Sequence, residues 1–180
     1  MNNLLEEIKN LSNEVESVSR KVEDMDITIK DAEMKQIDEI LKECKGGFKF
    51  NKIVSEKTDW NNYNNWRDDV VELFDKKGVY LTYYNEYTNR DSFCSKKINY
   101  ELWLMQTGEL EVYKVVEDNS NYRDDSNTLS RSYVSSNPLD YFDMEDVIDG
   151  IKDALERRMK SLNNRTKAQE ERIKKLEKYM

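Results

Sequence analysis

Residues 4–29 read LLEEIKNLSNEVESVSRKVEDMDITI, and Leu4, Ile8, Leu11, Val15, Val18, Val22, Met25 and Ile29 stand alternately four and three residues apart. Apolar residues at that alternation line one face of a helix. Over more than three heptads they predict the seam of a coiled coil. The register then drifts, and the next seam residues are Ile37, Ile40 or Leu41, and Cys44. Gly46-Gly47 predicts the end of the helix, because glycine tolerates the backbone that follows a last turn.

The other end of the chain carries a second seam. Asp140 or Asp143 is a suitable N-cap, and Glu145 and Asp146 suit a first turn, where carboxylates meet the positive end of the helix dipole. From there Ile148, Ile151, Leu155, Met159, Leu162, Thr166, Gln169, Ile173, Leu176 and Met180 follow a 3–4 spacing, with one stutter at Ile151–Leu155–Met159. Thr166 and Gln169 are polar seam positions of the kind that fix register. Residues 1–31 hold 8 acidic and 4 basic side chains, whereas 156–180 hold 9 basic and 4 acidic. Matched lengths, matched irregularities and opposite charge predict that the two helices pair in an antiparallel stalk on the order of 60 Å long, at about 1.5 Å per residue. The competing expectation is that each helix pairs with its copy in another chain, as in a homodimer.

Between the helices, residues 46–142 change character. Phe48–Val54 reads as a short strand. Thr58 or Asp59 would cap a helix with Tyr63, Trp66, Val70, Leu73 and Phe74 on one face, ended by Gly78. Val79–Thr88 is a strand by its aromatic and β-branched content. Ile98–Gln106 and Glu109–Glu117 flank Thr107-Gly108, a two-residue hairpin turn. Residues 118–137 are a polar loop with a further strand expected at Ser130–Val134. The fold class expected is α+β: a coiled-coil helix over 1–45, a small antiparallel sheet domain carrying one helix over 46–142, and a second coiled-coil helix over 143–180.

Composition narrows the chemistry. The chain has no histidine, which removes the commonest general base and metal ligand. No phosphate loop, dinucleotide glycine pattern, zinc spacing or calcium loop occurs, and no cofactor is expected. Cys44 and Cys94 form no disulfide or metal pattern and suit reduced thiols. Cys94, in DSFCSKK, has lysines beside it but no base near in sequence, so an inert thiol is expected. The first residues, MNNLLEEIKN, lack a signal-peptide pattern, and no apolar run is long enough to span a bilayer. A cytoplasmic location is expected.

Three groups of residues could carry function. Asp91, Glu101, Glu109, Glu111 and Lys114 resemble a metal-dependent nuclease set, but Glu111 and Lys114 are one residue too far apart to share a strand face. These charges read better as a solvated face. Tyr80, Tyr83, Tyr84, Tyr87, Tyr100, Trp103 and Tyr113 cluster on strands near Lys96, Lys97 and Lys114. Stacked bases are one use of such rings, but the net charge of −8 opposes a polyanion, leaving core packing or a protein-binding surface. Finally Asp68, Asp69, Glu72, Asp75, Glu117, Asp118, Asp124 and Asp125 offer a negative surface to a basic partner.

The sequence therefore predicts a non-catalytic protein-binding chain, with Tyr80, Tyr84, Trp103, Tyr113, Asp68, Asp69, Asp124 and Asp125 as candidate partner-binding residues. Direct nucleic-acid or membrane binding is not expected. Its Asn, Lys and Glu bias resembles that of proteins from AT-rich bacteria and their phages. One concrete version is a phage- or mobile-element-encoded inhibitor of a host nucleic-acid-processing complex, as anti-CRISPR proteins are. The alternatives are a coiled-coil structural or virion assembly component and a divergent Mg²⁺-dependent nuclease.

Overall fold

The computed structural model describes residues 2–60, 70–91, 94–118 and 126–177. The chain is α+β, with one long helix at each end and five antiparallel strands between them. It divides into two compact units, Met1–Ile40 and Leu41–Met180. No helix among the described residues is long and apolar enough to cross a membrane.

The first unit is helical. Helix α1 runs Asn2–Cys44, crossing the unit boundary near its end, and a short 3₁₀ turn, Lys45–Gly47, stops it at the expected glycines. Its seam is laid bare: Ile8, Leu11, Val15, Val18, Val22, Met25 and Ile29 are 51 to 67 % exposed. On its polar faces Arg20 pairs with Glu16 one turn back, at 2.6 Å.

The second unit is a closed barrel of β1 (Asn51–Trp60), β2 (Val70–Asp91), β3 (Cys94–Met105), β4 (Leu110–Asp118) and β5 (Ser126–Ser135), in that order, with β5 paired back to β1. The hairpin between β3 and β4 lies where expected, but its loop is three residues, Gln106–Gly108, not two, since Met105 N–H donates to the Glu109 carbonyl. Gly108 takes φ +99°, a conformation that favours glycine, and Gly108 N–H donates to the Met105 carbonyl at 2.9 Å. The strand expected near Ser130 is β5, longer than its Ser- and Asn-rich sequence suggests, since both edges of the segment find ladder partners.

The helix expected after Asp59 is corrected. Thr58 and Asp59 lie in β1, paired with Thr128 and Asn127, and Val70–Phe74 begin β2, with Val70 and Val71 paired to Thr58 and Lys57. Tyr63 and Trp66 lie outside the described residues. The apolar spacing of Val70, Leu73 and Phe74 suits a helix face. The β-branched pair Val70-Val71 suits a strand equally well, and the β1 ladder decides between them. Gly78 does not stop an element. It pairs with Asn51 on one side and Met105 on the other. A Cβ there would meet Ile53 Cδ1 at 3.0 Å, Trp103 Cε3 at 3.2 Å and the Leu104 carbonyl at 3.3 Å, so glycine permits a close approach at the bend of β2.

All five neighbouring pairs are antiparallel, including β1 with β5. Strand direction cannot alternate around an odd ring, so the strands must turn as the ring closes. Sheet twist supplies part of that turn. Irregularities supply more, where Lys52–Glu56 of β1 faces Glu72–Lys77 of β2 and at Tyr80–Thr82 and Asn85–Tyr87 in β2. β2 accordingly pairs with β1 through Val70–Gly78 and with β3 through Gly78–Asp91.

Helix α2 (Met144–Glu177) follows a 3₁₀ turn, Pro138–Asp140, which is capped by the Asn137 side chain accepting from Leu139 N–H. Asp143 precedes the helix, and its carbonyl accepts from Val147 N–H at 3.2 Å. Its first turns pack on β2 through Val147, Gly150, Ile151 and Ala154, which are buried at i, i+3, i+4 and i+7. Each fully buried Val or Ile contributes roughly 1.5–3 kcal/mol. Gly150 lets the helix backbone come close, since a Cβ there would lie 3.2 Å from the Leu81 backbone and from Thr82 Cβ. Farther along, Met159, Leu162, Ile173 and Leu176 are exposed.

Candidate functional site

The β3–β4 register sorts side chains onto two faces. Leu102 faces Val112 and Leu104 faces Leu110, all buried, with Tyr100 on the same side. The opposite face places Asn99 across from Val115, Glu101 across from Tyr113, and Trp103 across from Glu111. This second face carries the polar chemistry.

Two carboxylates organise it. Glu101 accepts from Arg131 Nε at 2.8 Å and Nη2 at 3.2 Å, and from Trp103 Nε1 at 2.9 Å. Arg131 comes from β5, lies 5.9 Å from the Trp103 ring centre and donates through Nη1 to the Val54 carbonyl at 2.8 Å. The β1–β5 ladder ends at Glu56 and Ser130, so this guanidinium ties the two strands just past their last backbone pair. Glu111, nearly buried, accepts from Lys76 Nζ at 2.8 and 3.0 Å and from the Tyr113 hydroxyl. Lys76 also stands 5.7 Å from the Tyr133 ring centre. Burial, then the Glu111 carboxylate, pushes the Tyr113 phenol well above its usual range. The Asn99 side-chain carbonyl is buried with no hydrogen-bond partner among the described residues.

Of the nuclease set, Glu101, Glu109, Glu111 and Lys114 are not brought together. Glu101 and Glu111 share a face, but each holds a cation, and Lys114 lies on the other face, opposite Tyr100. Glu109 sits at the turn, accepting from Thr107 Oγ1 at 3.1 Å. Among the described residues no group of three Cys, Asp or Glu could hold a metal ion.

The aromatic residues expected to form one platform are divided by the bulge at Leu81. Tyr80 pairs with Trp103, whereas Tyr84 pairs with Tyr100, so the two tyrosines occupy opposite faces. Tyr80 meets Trp103 edge-on at 5.6 Å; both are half-buried. Arg157 of α2 donates to the Tyr80 carbonyl at 2.8 Å and lies 5.8 Å from its ring centre. Burial, then Glu101, pushes the Tyr80 phenol up to about 12. Tyr84 is exposed and stacks on Tyr100 at 5.8 Å, which stacks on Tyr141 at 4.7 Å. Tyr113 is buried, packed against Phe74 and Tyr133. Asp68, Asp69, Asp124 and Asp125 lie outside the described residues.

Arg131, Lys76 and Arg157 are the residues that sequence reasoning passed over. Arg131 alone had a local signal, as the one charged residue in the Ser130–Val134 strand. No family model, curated protein or solved structure matches this chain.

Proposed function

We propose that this chain is a non-catalytic interaction protein that meets its partner through the heptad face of α1. The exposed seam, 51 to 67 % open from Ile8 to Ile29 on a 43-residue helix, carries this reading. A sustained apolar stripe left in water is a binding surface in waiting. The barrel side chains support it from the other direction, since Glu101 and Glu111 are engaged in ion pairs.

Within this reading the partner is a basic protein of a nucleic-acid-processing complex, and the chain acts as a phage-type inhibitor in the cytoplasm. The net charge of −8 supports the sign of the partner, because acidic proteins associate faster with basic surfaces. The antiparallel stalk of α1 with α2 is supported by the opposite charges of 1–31 and 156–180. The heptad seam of α1 favours, as a second reading, a coiled-coil assembly component.

The test is affinity capture from host lysate with the full chain and with the doubly substituted V15E/V22E. A basic partner recovered with the former, lost with the latter and released by salt is the expected result. Equal recovery by both removes α1 as the surface. Mg²⁺-dependent cleavage of DNA or RNA that E111Q abolishes would end the non-catalytic reading.

A further inference from the structure

Resting on the reading of α1 as the interaction surface, we propose that the occupant of its apolar seam is a second copy of this chain, in a parallel two-stranded coiled coil over residues 4–32, which leaves the flanks of α1 to meet any further partner. The four-three spacing fixes the heptad letters. Leu4, Leu11, Val18 and Met25 take the d positions, and Ile8, Val15, Val22 and Ile29 take the a positions. Every a residue is β-branched, and no d residue is isoleucine. In parallel coiled coils, β-branched side chains at a with leucine at d select two strands, whereas isoleucine at both positions selects three or more. The next d and a positions are Ala32 and Gln36, a small residue and a polar one, so the apolar seam closes there.

The flanking charges agree with that arrangement. In a parallel pair each g residue lies beside the e residue five positions further along the other helix. Glu7 then meets Ser12, Glu14 meets Ser19, Lys21 meets Asp26 and Thr28 meets Glu33. No pair sets like charges together, and Lys21 with Asp26 forms an attractive contact twice by symmetry. The described a and d residues from Ile8 to Ile29 are 51 to 67 % exposed on α1 itself.

The experiment is light scattering on the full chain together with cysteine crosslinking. The expected mass is twice the 21.5 kDa of one chain, and V15E/V22E halves it while tryptophan fluorescence, which reports only on the second unit, stays unchanged. In a C44S/C94S background, L11C forms a disulfide-linked dimer on mild oxidation, because a parallel pair sets each Leu11 against its own copy. A wild-type mass of one, three or four chains overturns the proposal, as does a dimer indifferent to V15E/V22E. A dimer in which L11C does not link overturns the parallel arrangement. A monomer that still captures its partner through the seam sinks the dimer and leaves the interaction reading standing; a dimer that captures nothing does the reverse.

Discussion

Arg131 is the residue on which the barrel's corner turns. Its side chain and that of Glu101 are each only 14 % exposed, and between them they bind β5, β3 and β1. Removing one member of such a pair leaves a charge without its counter-ion in a poorly solvated place. R131M should therefore cost about 3 kcal/mol in urea denaturation. The double variant E101M/R131M should recover part of that loss, though not all, because Trp103 loses its acceptor. The sequence showed the carboxylate but not its mate. Glu101 and Arg131 are 30 residues apart, no local pattern links them, and a glutamate on an alternating strand reads as solvated until the fold supplies a guanidinium. Tyr80 gives a second prediction at this scale. Its phenol titrates near 10.0 in an unfolded chain and near 12 here. Above pH 10 the unfolded state gives up that proton first, so stability is full below pH 10 and falls as pH rises toward 12. Denaturation at pH 9 and pH 11 should show the loss, and Y80F should lessen it.

At the scale of elements, β2 decides the architecture. Its two halves serve different neighbours, and the bend between them rests on Gly78 with its three close contacts. G78A should destabilise by about 1–3 kcal/mol, the range for forcing atoms into a packed place, as measured by the midpoint of chemical denaturation. Gly150 offers a sharper contrast. Alanine in a helix interior is ordinarily better than glycine by about 1 kcal/mol. Here its Cβ would press on the β2 backbone, which cannot rotate away as a side chain can. G150A should therefore lower stability despite its helix propensity, with the loss read from the same midpoint. Both terminal helices, the place of the β3–β4 hairpin and part of every strand were legible, because periodicity and turn chemistry are local. The start of β2 was not. Glycine after an apolar stretch looks the same whether it ends a helix or admits a neighbouring strand, and only the pairing with β1 separates the two. The division of the aromatics was hidden for a related reason: one extra residue at Leu81 reverses the side chains from there to the next bulge, at Asn85–Tyr87.

For the molecule as a whole, the division at Ile40 and Leu41 makes a prediction about melting. If α1 pairs with a second copy, its unfolding is tied to association and must depend on protein concentration. Every tryptophan follows Leu41 in the sequence, so the two units can be followed separately. Helical circular dichroism should lose part of its signal at a temperature that rises with concentration. Tryptophan fluorescence should change at a temperature that does not. A single transition in both signals, at one temperature across a hundredfold dilution, would contradict this. The seam itself was the most legible feature of the sequence. What covers it was not, since a heptad pattern is silent on whether its complement lies in the same chain.

The odd number of strands has a consequence beyond this melting behaviour. A walk once around the ring returns to β1 with the chain running the opposite way, and bent strands such as β2 absorb that reversal. An even ring of antiparallel strands would close without it. The bend of β2 is therefore tied to the strand count, and a change in its length near Gly78 would disturb both ladders that it serves.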